Sequence, residues 1–323
     1  MVEKLKIAIE KARAQRGDGA TGPLRPKGTV GAPPPTPAEA VAAPSIKPQP
    51  SEPRHQQPIR AGSAPFEDLD DAELLELGRS PSEERRLRGL WGEIEPLELD
   101  MNHLHDSRII TFDKSETSYV AFDVLRTRIM RVFKKHGWNR LGITSPTKGC
   151  GKTFVTANLG LSFARSSSHR TILMDMDLRI PALAKTLGVR HPEKARWFLD
   201  GGVPPEDYLR RVGDNLAIGM NRERVRDAAE VILHPRTTGV LQDMISKMSP
   251  DIVVYDLPPM LSCDDVLGFL PQLDCILLVV AADATKPEAV TECERLLSEA
   301  NLLGVLLNKA EDVDAIKYGY EYA

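Results

Sequence analysis

The chain has 323 residues, a formal net charge of −4, and 41% hydrophobic and 27% charged residues. That length suits one large or two ordinary domains, and the slightly acidic balance gives no reason to expect bulk nucleic-acid binding. No apolar run approaches the roughly 18 residues needed to span a bilayer. The first ten residues, Met1 to Glu10, have neither a long apolar core nor a cleavage-site pattern, so no signal peptide is expected. The four cysteines, Cys150, Cys263, Cys275 and Cys293, lack paired ligand spacing and read as reduced thiols, not as a disulfide framework or zinc site. A soluble, cytoplasmic chain is expected, with any membrane link supplied by a partner.

Within residues 1–16, Val2, Leu5, Ile9 and Ala12 recur at helical spacing among Lys4, Lys6, Lys11 and Arg13, which makes a short amphipathic helix. It is either a marginal, frayed helix or a docking helix, and the sequence does not choose. About half of the chain's 25 prolines fall in residues 17–65, with almost no large apolar residues. Such a segment cannot bury enough surface to offset its ordering entropy, and it reads as a disordered, polyproline-biased linker. Residues 66–109 form an acidic, then mixed, lead-in expected to be partly ordered against the main domain. It has helical potential at Asp68–Leu77 and at Ser82–Trp91. From Asp113 to Met130 the pattern is firmly helical, with Tyr119, Phe122, Leu125, Ile129 and, just beyond, Val132 on one apolar face.

After residue 139, short apolar runs at 139–144, 171–175, 215–219, 251–255, 274–280 and 303–307 are expected as strands. Helix-length amphipathic stretches at 153–166, 225–233, 237–247, 264–270 and 286–300 separate most of them. This alternation predicts an α/β fold, a mostly parallel sheet flanked by helices on both faces, whose ligands bind at the carboxyl ends of the strands.

The first strand leads into Ser145-Pro-Thr-Lys-Gly-Cys-Gly-Lys-Thr153, followed by a helical stretch from Phe154. Strand, glycine-bearing loop, Lys-Thr and helix make a phosphate-binding loop, and the fold a P-loop NTPase. Residues Thr147, Lys148, Gly149, Cys150, Gly151, Lys152, Thr153 and Phe154 are the candidate nucleotide contacts. Backbone N–H groups and the helix N-terminus would hold phosphate oxygens, Lys152 would reach the β- and γ-phosphates, and the Thr153 hydroxyl would ligate Mg²⁺. The strict pattern has glycine at position 146, where this chain has Pro146.

Two further strands end in acids: Thr171-Ile-Leu-Met-Asp-Met-Asp-Leu-Arg179 carries Asp175 and Asp177, and Asp251-Ile-Val-Val-Tyr-Asp-Leu-Pro-Pro259 ends on Asp256. A carboxylate at the end of a buried strand is costly unless it meets a cation or donor. A single one is readily a cap or turn residue. Three beside a phosphate loop point to a nucleotide with its metal, Asp177 in contact with Mg²⁺ and Asp256 acting directly or through water.

These motifs, in this order and spacing over residues 110–323, resemble the bacterial tyrosine kinases, the autokinases of capsule and exopolysaccharide export. More loosely, the N-terminal helix, the proline-rich linker and Leu97-Glu-Leu-Asp-Met-Asn-His-Leu104 resemble autokinases of exosortase-linked polysaccharide loci. The resemblance implies a P-loop tyrosine kinase domain at 110–314 and a flexible tyrosine-rich tail at 315–323. It implies ATP and Mg²⁺ as cofactors, catalytic roles for Lys152, Asp175, Asp177 and Asp256, and a motif arginine at Arg179. Asp175 would orient the acceptor hydroxyl or accept its proton, and Asn308 would contact adenine. Tyr318, Tyr320 and Tyr322 would be autophosphorylation targets, reached in a neighbouring copy of a homo-oligomer. The activating partner would be the cytoplasmic segment of a membrane polysaccharide co-polymerase, which recruits the chain to the inner face of the plasma membrane. No nucleic-acid partner is implied.

Two departures stand out. The family's assembly helix carries Glu-x-x-Arg-x-x-Arg, and this chain aligns Val120, Asp123 and Arg126 there. Cys150 lies inside the phosphate loop, either as an inert small residue or as an oxidisable thiol. The rival readings are a partition or septum-positioning ATPase and a nucleotide-binding scaffold without kinase activity. The partition ATPases have a second lysine at the position of Thr147, where this chain has none.

Overall fold

The computed structural model describes residues 79–109, 117–165, 169–282 and 284–310. The expected helix at 1–16, the linker at 17–65, the helical turns at Asp68–Leu77 and the tail at 315–323 lie outside the described residues.

Among the described residues, helices α1 (Pro81–Glu93), α2 (Met101–Asp106) and α3 (Thr117–His136) come first, followed by strand β1 (Arg140–Thr144), helix α4 (Lys152–Ala164) and strand β2 (Thr171–Asp175). Three short helices, α5 (Leu183–Thr186), α6 (Ala195–Leu199) and α7 (Pro205–Tyr208), lead to β3 (Arg210–Val212) and β4 (Leu216–Gly219). The chain then runs α8 (Ala228–Leu233), α9 (Pro235–Met248), β5 (Ile252–Asp256), α10 (Asp265–Phe269), β6 (Cys275–Ala281), α11 (Pro287–Leu296) and β7 (Leu302–Asn308).

The strands form one seven-stranded sheet in the order β3-β4-β2-β5-β1-β6-β7. All neighbours are parallel except β3, which runs antiparallel to β4. Every apolar run expected as a strand is one, within a residue or so of its expected ends. β3 was not expected, because Arg210-Arg211-Val212 has no apolar run. It forms by pairing with β4 and with the lead-in, where the Leu97 N–H donates to the Arg211 carbonyl at 2.7 Å.

Alternation along the strands divides the core. Leu173, Ile252, Val254, Leu277 and Val279 face α3 and α4, while Ile172, Val253, Tyr255, Ile276 and Leu278 face α1, α8, α9, α10 and α11. Helix α4 is buried along almost its whole length, because α3 covers the side that the sheet does not.

Asp123 of α3 ion-pairs with Arg165 just after α4, and Arg126 donates to the Ser162 carbonyl at 2.7 Å. Two of the three positions that align with the assembly motif are thus engaged within the chain, and Val120 is exposed.

The helix expected at Ser82–Trp91 is α1, and it is part of the core. Ser80 caps it, with its Oγ accepting from the Glu83 N–H at 3.2 Å, and Pro81 fits the first turn, where no N–H is needed. Trp91 is 1% exposed and its indole Nε1 donates to the Met248 carbonyl at 2.8 Å. Glu84 pairs with Arg170, both inaccessible to solvent. Trp91→Ala removes a fully buried aromatic and should lower stability by about 3–5 kcal/mol. A urea melt should show this as a shifted midpoint, and an unchanged midpoint would show that α1 is not part of the cooperative unit.

Candidate active site

The site forms where β1, β2 and β5 end side by side. In register, Asp175 is paired with Asp256 across β2 and β5, and Ile143 of β1 with Asp256 on the other side. The Met176 N–H donates to the Asp256 carbonyl at 2.8 Å, so the two acidic strand ends are stitched through backbone.

The loop between β1 and α4 is anchored to the segment after β5. Thr144 Oγ1 donates to the Pro258 carbonyl at 2.6 Å, and the Met260 and Leu261 N–H groups donate to the Ser145 and Pro146 carbonyls at 2.8 and 3.1 Å. Gly149 and Gly151 have φ of 82° and 89°, a left-handed backbone that glycine adopts without steric cost. Gly151 is the N-cap of α4 and brings no capping side chain, which leaves first-turn N–H groups available to an anion. Thr147, Lys148 and Gly149 are exposed at the rim. Cys150 is 1% exposed, with its Sγ 3.4 Å from Thr285 Oγ1, the packing of a small core residue.

Lys152 gathers the carboxylates. Its Nζ lies 2.9 Å from Asp177 Oδ2 and 3.5 Å from Asp256 Oδ2, and 3.3 Å from Thr153 Oγ1. Thr153 Oγ1 donates to Asp256 Oδ2 at 2.6 Å, and Thr156 Oγ1 reaches Asp256 Oδ1 at 3.2 Å. Asp175 lies deeper: Oδ1 accepts from the Asp177 N–H at 3.2 Å, and Oδ2 from the Ala182 and Leu183 N–H groups at 3.1 and 3.0 Å.

The electrostatics follow from burial. Asp175 and Asp256 are fully inaccessible and Asp177 is 3% exposed. Burial, reinforced by the neighbouring Asp256, pushes the Asp175 carboxyl up to about 8. Burial also raises Asp256, against the pull of Lys152 and the Thr153 hydroxyl. Burial alone would lower the Lys152 ammonium, but Asp256 and Asp177 overcome it and its pKa is raised. Three carboxyls thus share one ammonium. Full ionisation leaves two negative charges in excess, which suits a divalent cation, and the donors are the hard oxygens that Mg²⁺ takes.

Of the remaining predicted residues, Arg179 makes a bidentate pair with Asp265, Nε to Oδ2 at 2.7 Å and Nη2 to Oδ1 at 2.8 Å, and this raises its already high pKa. It fastens the loop after β2 to the start of α10. Asn308 Nδ2 donates to the Cys150 carbonyl at 2.9 Å, which places the end of β7 against the phosphate loop. Phe154 packs edge-on against Phe122, with ring centroids 6.2 Å apart. Sequence reasoning missed Thr156 and Asp265. Thr156 lies three residues after Thr153 on the same helix face, a signal that was available. Asp265 shares its surroundings with Asp264 and had no distinguishing signal.

A sequence model of the CobQ/CobB/MinD/ParA nucleotide binding domain matches residues 141–322. The chain belongs to this family. It is therefore a nucleotide-binding domain of the P-loop class, in agreement with the loop geometry. Among its relatives, the putative tyrosine-protein kinase EpsB of Ralstonia solanacearum is 28% identical over 211 residues, which are 64% of this chain and 27% of EpsB. The chain thus spans about a quarter of that relative's length. The tyrosine-protein kinase CpsD of Streptococcus pneumoniae serotype 4 is 29% identical over 191 residues, 55% of this chain and 79% of CpsD. The kinase domain of the Escherichia coli tyrosine kinase ETK superposes with a TM-score of 0.58 at 23% identity, covering 67% of this chain and 85% of that domain, a likeness of fold. The relatives are thus the tyrosine kinases that the three motifs resemble. No helix among the described residues is long and apolar enough to cross a membrane.

Because the Asp175 pKa rises from 3.8 to about 8, folding favours its protonated form. Its contribution to stability is complete below about pH 4 and is lost as pH rises through about 8. Asp175→Asn should flatten this fall in urea melts at pH 5, 7 and 9 without nucleotide or divalent cation. Parallel wild-type and variant profiles would show that Asp175 is ionised throughout.

Proposed function

We propose that the chain is a protein-tyrosine kinase that transfers the γ-phosphoryl group of ATP to tyrosine hydroxyls, among them its own Tyr318, Tyr320 and Tyr322. The observation that carries this reading is the cluster of Lys152, Thr153, Asp177 and Asp256 at one helix N-terminus, in a chain whose named relatives are tyrosine kinases.

In this reading the first-turn N–H groups of α4 and the loop backbone from Gly149 to Thr153 hold the phosphates, and Lys152 turns from its carboxylates toward the β- and γ-oxygens. Thr153, Asp177 and Asp256 would hold Mg²⁺, which when bound offsets the charge on the phosphates. Phosphoryl transfer is largely a matter of positioning and electrostatics and makes little demand on a base. Asp175, with both oxygens engaged by backbone N–H groups, is therefore assigned neither to orienting the acceptor hydroxyl nor to accepting its proton, the roles the resemblance implies, but to shaping the loop that carries Asp177 and Arg179. Asn308, at the loop's flank, would contact the adenine in this reading. The acceptor tyrosine, with an unperturbed pKa of about 10, arrives neutral.

The same reading puts the chain in control of exopolysaccharide or capsule export. Its activator would be the cytoplasmic segment of a membrane polysaccharide co-polymerase that brings it to the inner membrane face. The three tyrosines would be presented to a neighbouring copy in an oligomer. Phosphorylation adds roughly −1.5 to −2 charges per tyrosine beside Glu311, Asp312 and Asp314, which would disperse such an assembly.

The purified full chain, incubated with ATP and Mg²⁺, should gain phosphotyrosine on the tail. Lys152→Met should lower the rate by at least about 100-fold, and replacing all three tail tyrosines by Phe should remove the signal. Undiminished phosphotyrosine in Lys152→Met would exclude autokinase activity, and ATP hydrolysis without phosphotyrosine would favour the partition-type ATPase.

A further inference from the structure

One large surface feature extends beyond the phosphate site. A groove of about 1650 Å³ runs between α2, α3 and β7, and at one end reaches Phe154, Asn308 and Ala310. Its wall from β7 is unusual. Leu302-Leu-Gly-Val-Leu-Leu-Asn308 is almost wholly apolar, yet every residue is only half-buried, whereas β5 and β6 are buried throughout. β7 is also the last strand of the sheet order, and its outer edge meets no other strand among the described residues. An apolar edge strand left open is a template for pairing, and natural proteins usually cover it.

The groove's rim has a definite charge. Arg108, Arg128, Arg131 and Lys309 line it against the single carboxylate of Asp106. Arg128 and Arg131 are exposed, one turn apart on α3, and make no ion pair among the described residues. The rest of the lining is largely apolar, with Leu125 of α3 and Leu303 and Leu306 of β7 packed against one core cluster. The fitting ligand is therefore an acidic segment with apolar or aromatic side chains.

Residues 66–78 are acidic and partly apolar as well, but they join the described chain at Arg79, which is held by Asp251 just before β5 and does not line the groove. The two ends of the chain are separated by charge. Residues 1–16 carry Lys4, Lys6, Lys11, Arg13 and Arg16 against Glu3 and Glu10, net +3. Residues 311–323 carry Glu311, Asp312, Asp314 and Glu321 against Lys317, net −3, with Val313, Ile316 and three tyrosines between them. The second segment leaves β7 directly at the groove, since Lys309 and Ala310 line it. Thirteen residues at about 3.3 Å each reach further than the seven-residue strand is long.

We propose that residues 311–323 turn back and dock intramolecularly in this groove, acids against Arg128 and Arg131 and apolar and tyrosine side chains along β7. The docking does not depend on the kinase reading. Where that reading holds, docking withholds the tyrosines from a neighbouring copy and makes their release a point of control.

The test uses the full chain at low salt, with two readouts. These are chymotryptic cleavage after Tyr318 and Tyr320, followed by mass spectrometry, and amide exchange along Leu302–Asn308, with β5 amides reporting on the fold. Arg128→Glu/Arg131→Glu should speed tail cleavage by about tenfold or more, since cleavage follows the undocked population. It should also expose the β7 amides and leave β5 unchanged. Adding Asp312→Arg/Asp314→Arg should restore protection, and higher salt should weaken it in the wild type. Equal cleavage in all three chains would overturn the proposal. So would protection that rises with protein concentration, which would place the tail on a second copy. β7 protection that survives removal of residues 311–323 and is lost on removal of residues 1–16 would assign the groove to the N-terminal segment instead.

Discussion

The charge balance around Lys152 governs this molecule. Three carboxyls, Asp175, Asp177 and Asp256, stand at the ends of buried strands, where ionised groups are expensive unless compensated. One ammonium and two threonine hydroxyls compensate them in part, and the remainder appears as the raised proton affinity of Asp175 and Asp256. A group of this kind costs stability in a protein that only has to fold. In the proposed function, a polyanion with its divalent cation would complete the charge balance.

The architecture serves that balance. Parallel order brings the carboxyl ends of β1, β2 and β5 together, so residues more than a hundred positions apart in sequence meet within hydrogen-bond distance, as Thr153 and Asp256 do. The backbone tie from Met176 to Asp256 and the Arg179–Asp265 pair hold the loops after β2 and β5 in fixed relation. Asn308 closes the arrangement from β7 through its hydrogen bond to the Cys150 carbonyl. The groove along β7 shares Phe154 and Asn308 with the candidate site and extends away from it along the strand.

The lead-in and α3 show a different economy. Helix α1 supplies Trp91 to the core and Glu84 to a buried pair with Arg170, so residues that the sequence marks only as charged and helical complete the face opposite α4. On α3, Asp123 and Arg126 turn to α4, a use within the chain for positions that align with an assembly motif in the resembled family.

The sequence alone determined the strands of the parallel sheet, the phosphate loop and the acids that complete it. Apolar runs, glycines before Lys-Thr and strand-end aspartates are local patterns, and each is dictated by a local physical need. Tertiary structure decided what depends on neighbours brought from afar. β3 exists because β4 and the lead-in offer it partners, although Arg210-Arg211-Val212 alone has no strand pattern. Arg179 is a fastener because Asp265 lies opposite it, and Asp175 is an anchor because the N–H groups of Ala182 and Leu183 turn back onto it. Cys150, ambiguous as a residue type, became a packed core thiol once Thr285 and α4 closed around it. A side chain's chemistry is written in the sequence, but its charge partner and its solvent are set by the fold.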